Sequence, residues 1–282
     1  MQSKINSLLN FCYDDTESIK FQLFLITIKC LIPYEDNIGC YFDIGRYKKE
    51  IELFSYYMND NDEIINYWLQ HKKPTIANDK LLEYKIIPIV LSNTMWENTI
   101  NEVLRAVTFY TYNKNAILNS LLISSAIHEF MGNTEIENIK ELTKEKLINF
   151  SIKDYFINNQ IPTDKNYIIE FEKERIKLIA GNDMFDDNYI DKYKVLNYIL
   201  KKKASVADNS DILNSFSTYL YKLRKGIINP EKLKIPDKIP NIKECLKKPL
   251  FNHPLLGRCK VIQRTENEVT VRNKSGLMRI KI

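Results

Sequence analysis

Glycine is scarce: the 282 residues contain seven, where average usage of about 7% would give roughly 20. Phosphate-binding loops use glycine so that the backbone can approach the ligand, and neither GxGxxG nor GxxxxGK[ST] occurs. That argues against a Rossmann or P-loop enzyme. Five cysteines (Cys12, Cys30, Cys40, Cys245, Cys259) are scattered with no CxxC pair, which argues against a disulfide framework and a zinc ribbon and for buried thiols. The three histidines, His71, His128 and His253, lie far apart and form no visible metal triad. No apolar run reaches the roughly 20 residues a membrane span needs, since Phe21 to Ile32 is short and carries Gln22, Thr27 and Lys29. No apolar leader with a small-residue cleavage site opens the chain, so the expectation is a cytoplasmic protein with no membrane partner.

What is present is helical periodicity. With 44% hydrophobic and 11% aromatic residues the chain can bury a sizeable core. Abundant Lys, Ile and Asn fit the codon bias of an AT-rich genome, so lysine counts carry little weight. Thr94 and Glu97 read as a capping box, and Met95, Ile100, Val103, Leu104, Val107 and Tyr110 recur at helical spacing. A second helix follows over 116–131, closed by Gly132, so that the two form a hairpin. Further amphipathic segments are expected near 16–31, 45–59, 61–71, 143–150, 165–179, 189–202 and 211–224.

After Gly226 the texture changes. Five prolines between Pro230 and Gly257 block helix continuation and predict an extended strap. Beyond it, Cys259/Val261, Val269/Val271 and Leu277/Met278/Ile280 alternate with polar residues as a small β meander. From Lys222 onward sixteen Lys/Arg face five Asp/Glu, a net +11 that leaves −6 for the first 221 residues. The organisation expected is a helical domain over 1–226, a strap over 227–257 and a basic β module over 258–282. Docking of that module on the helical body through its apolar positions is the favoured reading. Nucleic acid is a lesser alternative, because 258–282 holds no Phe, Tyr or Trp on which bases could stack.

Several polar clusters have a plain structural reading beside the functional one. Asp14 with Glu17 reads as a helix cap, and so do Asp208 and Asp211 before Ile212. The run Asn182 to Asp187 lacks the Gly and Glu of an EF-hand loop and reads as a solvated acidic loop. His128, Trp68 and Trp96 lie in helical patterns and read as packed residues.

The order of motifs resembles the ADP-ribosylglycohydrolase family. "YDDTESIKFQLFLITIKCL" is similar to that family's Thr-Asp-Asp-Thr helix start, and "KIIPIVL" to its Arg-x-Ala-Pro-x-Gly-Leu. Thr111-Tyr112 lies where the family has Thr-His, and "ADNSDILNSFSTYLYKLRKGIINPEKLKIP" is similar to the closing Asp-x-Asp-Thr helix. The resemblance runs over roughly 12–236 and implies a mainly α, compact orthogonal all-helical fold that binds ADP-ribose or a related nucleotide. It implies Asp14 and Asp15 as catalytic residues, and Asp14, Asp15, Thr16, Asp211, Asn209 and Asp208 as candidate ligands of Mg2+. The chain carries "IANDKLLEY" for the family's Gly-Asn-Gly loop, Tyr112 for its motif histidine and Asn209 for one closing carboxylate, and no Gly-Asp-x-x-Gly precedes Tyr13. These replacements imply hydrolase chemistry that is impaired or gone. The rival reading is a helical scaffold whose basic β module engages nucleic acid or a protein.

Overall fold

The computed structural model describes residues 1–181, 184–201 and 210–282. Its described residues are mainly helical, with a four-stranded antiparallel sheet near the C-terminus. In chain order come α1 (Gln2–Cys12), α2 (Ile19–Lys29), a two-stranded hairpin of β1 (Leu31–Pro33) and β2 (Cys40–Phe42), α3 (Ile44–Phe54) and α4 (Glu63–His71). Then follow α5 (Leu82–Ser92), α6 (Trp96–Tyr110), α7 (Lys114–Met131), α8 (Ile136–Asn149), α9 (Ile152–Asn158) and α10 (Lys165–Ala180). The body ends with α11 (Asp187–Asp191), α12 (Lys194–Leu200) and α13 (Asp211–Arg224).

The centre of the body is α5, whose eleven residues are all buried. It packs against α2, α6, α7 and α13, so the continuous apolar run from Ile86 to Leu91 has neighbours on every side. A helix with no polar stripe is stable only inside such a shell. Pro88 is tolerated within it, where tertiary packing outweighs the lost backbone bond. The expected hairpin is α6 and α7, with Asn113 capping α7 by accepting the Ala116 N–H at 3.0 Å. Thr94 is not the cap of α6, which begins after Met95 without a side-chain cap. Gly132 does end α7, yet the left-handed residue is the next one, Asn133, at φ 66°.

α1 lies antiparallel to α13. Gln2 Nε2 donates to Thr218 Oγ1 at 2.8 Å, and the Ser210 N–H donates to Asn10 Oδ1 at 3.3 Å. Phe216 of α13 meets Phe21 and Phe24 of α2 edge-on, which ties the first two helices to the last. In the β1–β2 hairpin the Cys40 N–H donates to the buried Asn93 Oδ1 at 2.9 Å. Gly39, at φ 115°, brings the backbone so close that a Cβ there would lie 2.4 Å from that oxygen.

The proline-rich stretch is more structured than a plain strap. It contains a 3-10 turn over Pro230–Leu233, α14 (Ile242–Cys245) and β3 (Leu250–His253). β3 is the first strand of a meander continued by β4 (Gly257–Arg264), β5 (Glu268–Asn273) and β6 (Gly276–Lys281), with a register shift between Val261 and Gln263. The sheet therefore has four strands rather than the three expected. Phe251, Cys259, Val269, Val271 and Ile280 alternate onto the buried face, and the Lys281 N–H donates to the Tyr56 carbonyl at 2.7 Å.

Candidate functional site

Asp14 and Asp15 lie in the exposed turn between α1 and α2. The turn is fixed by Asp15 itself, whose Oδ1 accepts the Glu17 N–H at 2.8 Å. The cap of α2 is Ser18, which accepts from the Phe21 N–H, so the capping arrangement read at Asp14 and Glu17 belongs four residues further on. Asp14 Oδ2 is held by Lys194 Nζ at 2.7 Å. Partial burial acts to raise the Asp14 carboxyl, but Lys194 outweighs it and the net shift is downward. Asp211 is the first residue of α13, after a Ser210 whose side chain makes no cap. Because Ser210 reaches Asn10, the start of α13 comes to the end of α1, the side of the body that carries Asp14. Asp208 and Asn209 lie outside the described residues, as do Asn182 and Asp183 of the acidic run, while Asp186 caps α11.

Two of the segments singled out by their motifs, 111–112 and 13–20, reach the residues before and at the start of α5. The Tyr112 N–H donates to the Thr75 carbonyl at 2.8 Å, and Thr111 Oγ1 to the Ala77 carbonyl at 2.7 Å. Asn113 Nδ2 adds a bond to the Ile76 carbonyl at 2.9 Å. The start of α7 thus clamps 75–77, which leads into Asn78 and Asp79. From the other side Tyr13 donates to the Tyr84 carbonyl at 3.2 Å, and Lys20 Nζ sits 5.2 Å from the Tyr84 ring centre.

Beneath this junction is a buried charge cluster that sequence reasoning missed. Lys85 Nζ lies 2.8 Å from Asp62 Oδ2 and 2.8 Å from Asp79 Oδ2, with all three side chains no more than 3% exposed. The remaining oxygens are satisfied by backbone: Asp62 Oδ1 accepts from Ile64 and Ile65 at the start of α4, and Asp79 Oδ1 from Leu81. Lys85 Nζ also stands 4.7 Å from the Tyr110 ring centre, whose hydroxyl donates to that of Tyr47. Burial acts to lower the Lys85 pKa, but Asp79 and Asp62 outweigh it and the ammonium is held charged. For Asp79 burial wins, aided by Asp62, and its carboxyl is pushed up. The legible signal was Lys85 itself, a cation at the head of an otherwise apolar run.

Next to it, Glu83 receives the N–H groups of Lys194 and Val195 at 3.2 and 3.1 Å, fixing the start of α12. A cleft of about 230 Å³ opens over the cluster, lined by Ile19, Lys20, Asp62, Asn78, Asp79 and Lys80 among others. Asn78 also lines a second cleft of about 420 Å³ with Asn115, Asn119, Lys177, Lys192 and Tyr193. The Tyr193 hydroxyl is pushed up to about 12 by burial and by Glu83 and Asp79, so it remains a hydrogen-bond donor at neutral pH.

Magnesium requires a near-octahedral set of oxygen ligands. One oxygen of Asp14 is committed to Lys194 and one of Asp15 to the Glu17 amide. Among the described residues no group of three or more His, Cys, Asp or Glu side chains is placed to hold a metal ion. No helix among them is long and apolar enough to cross a membrane. Comparison with known proteins finds no family model and no curated protein that matches this chain.

Proposed function

We propose that this chain is an ADP-ribosylglycohydrolase-like protein that keeps a cleft for ADP-ribose or a related nucleotide and has lost hydrolytic turnover. The observation that carries the reading is the buried Lys85–Asp62–Asp79 cluster under the paired clefts that meet at Asn78. An ammonium between two carboxylates neutralises them from within the chain, so they are spent on architecture and not poised to work on a substrate. Around them the clefts offer what a nucleotide needs. Lys20, Lys80, Lys177 and Lys192 can meet phosphate oxygens, the Asn78, Asn115 and Asn119 amides can bond a base or ribose, and Tyr193 adds a ring with a neutral hydroxyl. The contacts of 111–113 with 75–77, and of Tyr13 and Lys20 with Tyr84, support part of the motif order on which the resemblance rests.

Calorimetric titration with ADP-ribose, with and without Mg2+, tests the cleft. Saturable binding weakened by Asn78→Ala is expected, and no binding of ADP-ribose or ADP would refute the reading. Incubation with ADP-ribosylated arginine or serine peptides tests the chemistry, with release of ADP-ribose at the uncatalysed rate expected. Magnesium-dependent turnover abolished by Asp15→Ala would overturn the claim that activity is lost.

A further inference from the structure

The sheet has two faces, and only one is used by the fold. While Phe251, Cys259, Val269, Val271 and Ile280 are buried, the opposite face carries Arg258 and Lys260 on β4, Arg272 on β5, and Arg279 and Lys281 on β6, all exposed. The register places them side by side. Lys260 pairs with Arg272, which pairs with Leu277, and one row on Thr270 pairs with Arg279. Glu268, opposite Lys281 at one corner, is the face's carboxylate.

Arginine usage sharpens the point, because an AT-rich codon bias inflates lysine and not arginine. The chain has eight arginines, four of them within 258–282. Every arginine of the helical body is engaged internally: Arg46 with the Leu233 carbonyl, Arg105 with Glu102, Arg175 with Glu172, and Arg224 with the carbonyls of Leu91 and Asn93. Arg264, beyond the register shift, donates to the Leu246 carbonyl. Arg258, Arg272 and Arg279 have no hydrogen bond or ion pair among the described residues, and neither do the ammonium groups of Lys260 and Lys281. Like charges directly opposite or diagonal across a sheet repel one another, so this arrangement costs stability in the isolated molecule. A polyanion removes that cost.

We propose that the outer face of β4–β6 binds the phosphate backbone of double-stranded nucleic acid. Guanidinium groups fit phosphate in a two-pronged geometry that a lone ammonium lacks. A gently twisted sheet with side chains about 4.8 Å apart across strands presents several such groups to one duplex at once. With no aromatic residue in 258–282, the face has no platform for unstacked bases, which favours a duplex over a single strand and backbone contact over sequence readout. The proposal does not depend on the nucleotide cleft, which lies on other elements.

Fluorescence anisotropy with the full chain and a labelled 20-base-pair duplex, DNA or RNA, at 50 to 200 mM salt tests this. Five neutralised phosphates give a log–log slope of about −4.5, or roughly a 500-fold loss of affinity across that range. The Arg272→Gln/Arg279→Gln double variant should bring the slope to about −2.7, with an unchanged melting temperature showing that the fold is intact. Absence of binding at 50 mM salt would overturn the proposal, as would a slope unaltered in the double variant. Equal affinity for poly-glutamate or for phosphatidylserine vesicles would also overturn it, by assigning the face to an acidic protein or a membrane surface.

Discussion

At the residue scale, the most consequential side chain is Lys85. Removing one member of a buried ion cluster leaves the other charges unpaired in a medium that cannot solvate them, at a cost of about 3–5 kcal/mol. Lys85→Met should therefore lower stability by that amount in urea denaturation. Lys72→Met, which breaks a half-exposed pair with Glu52, should change it by less than about 1 kcal/mol. Two histidines each contribute a pH dependence of known sign. Burial, with Lys146 for His128 and Lys29 for His253, pushes both imidazoles below their ordinary value. Each is bonded as a neutral ring: His128 Nε2 donates to the Thr94 carbonyl at 3.1 Å and its Nδ1 accepts from Lys146 at 3.2 Å. Between the lowered and the ordinary pKa the unfolded chain binds more protons than the folded one, so stability rises with pH there. It is fully present above the ordinary histidine pKa of about 6.5 and is lost as pH falls below it. The raised carboxyls of Asp79, Glu50 and Glu83 act in the opposite sense, so the histidine part is isolated by comparison: His128→Gln, which keeps one donor and one acceptor without the charge, should have a higher urea midpoint at pH 5.5 relative to pH 7.5 than the unaltered chain.

At the scale of elements, periodicity was legible and context was not. α4, α6, α10 and α13 lie where 3.6-residue spacing predicts them, and α7 lies where the turn before it and Gly132 after it predict it, although 120–127 are buried on every side. α5 was not foreseen as a helix, since a run buried on all faces carries no period to read. α1 was likewise missed, its buried Ile5, Leu8, Leu9 and Cys12 being set among polar residues of low helix propensity. β3 was hidden in the proline-rich stretch, where its pairing with β4 depends on partners four to ten residues away. Of the candidate site, the Asp62–Lys85–Asp79 cluster was not read, since nothing local marks Asp62 and Asp79 as sharing a cation. The sheet yields a contrast that measures its docking. Val269→Asp buries an unpaired carboxylate and should cost about 3 kcal/mol or more, while Arg272→Glu on the open face should stay within about 0.5 kcal/mol. Arg264→Ala falls between, at about 1–2 kcal/mol, because it removes the bond to the Leu246 carbonyl. Thermal melts of the three variants check the order.

At the scale of the whole molecule, one apolar core runs from Ile5 to Ile280, and the C-terminal quarter is part of it. Arg46 of α3 depends on the Leu233 carbonyl, and the Tyr56 carbonyl on the Lys281 N–H. A chain ending at 226 should therefore melt at a lower temperature than the full chain and bind a hydrophobic dye. Equal melting temperatures would show that the sheet is only an appendage. The pairing of α1 with α13 has a further consequence, in the order of events during synthesis. Asn10 finds its partner Ser210 only after 200 more residues have been added. At about 5–20 residues per second that is roughly 10–40 s during which α1 has emerged and its partner helix has not. Through that interval the buried side of α1, with Ile5, Leu8, Leu9 and Cys12, waits for its partners α12 and α13. The first helix made is thus among the last to be seated, and stalled nascent chains that end before α12 should keep the thiol of Cys12 open to alkylation while the finished protein, with Lys194 and Tyr198 beside it, shields it.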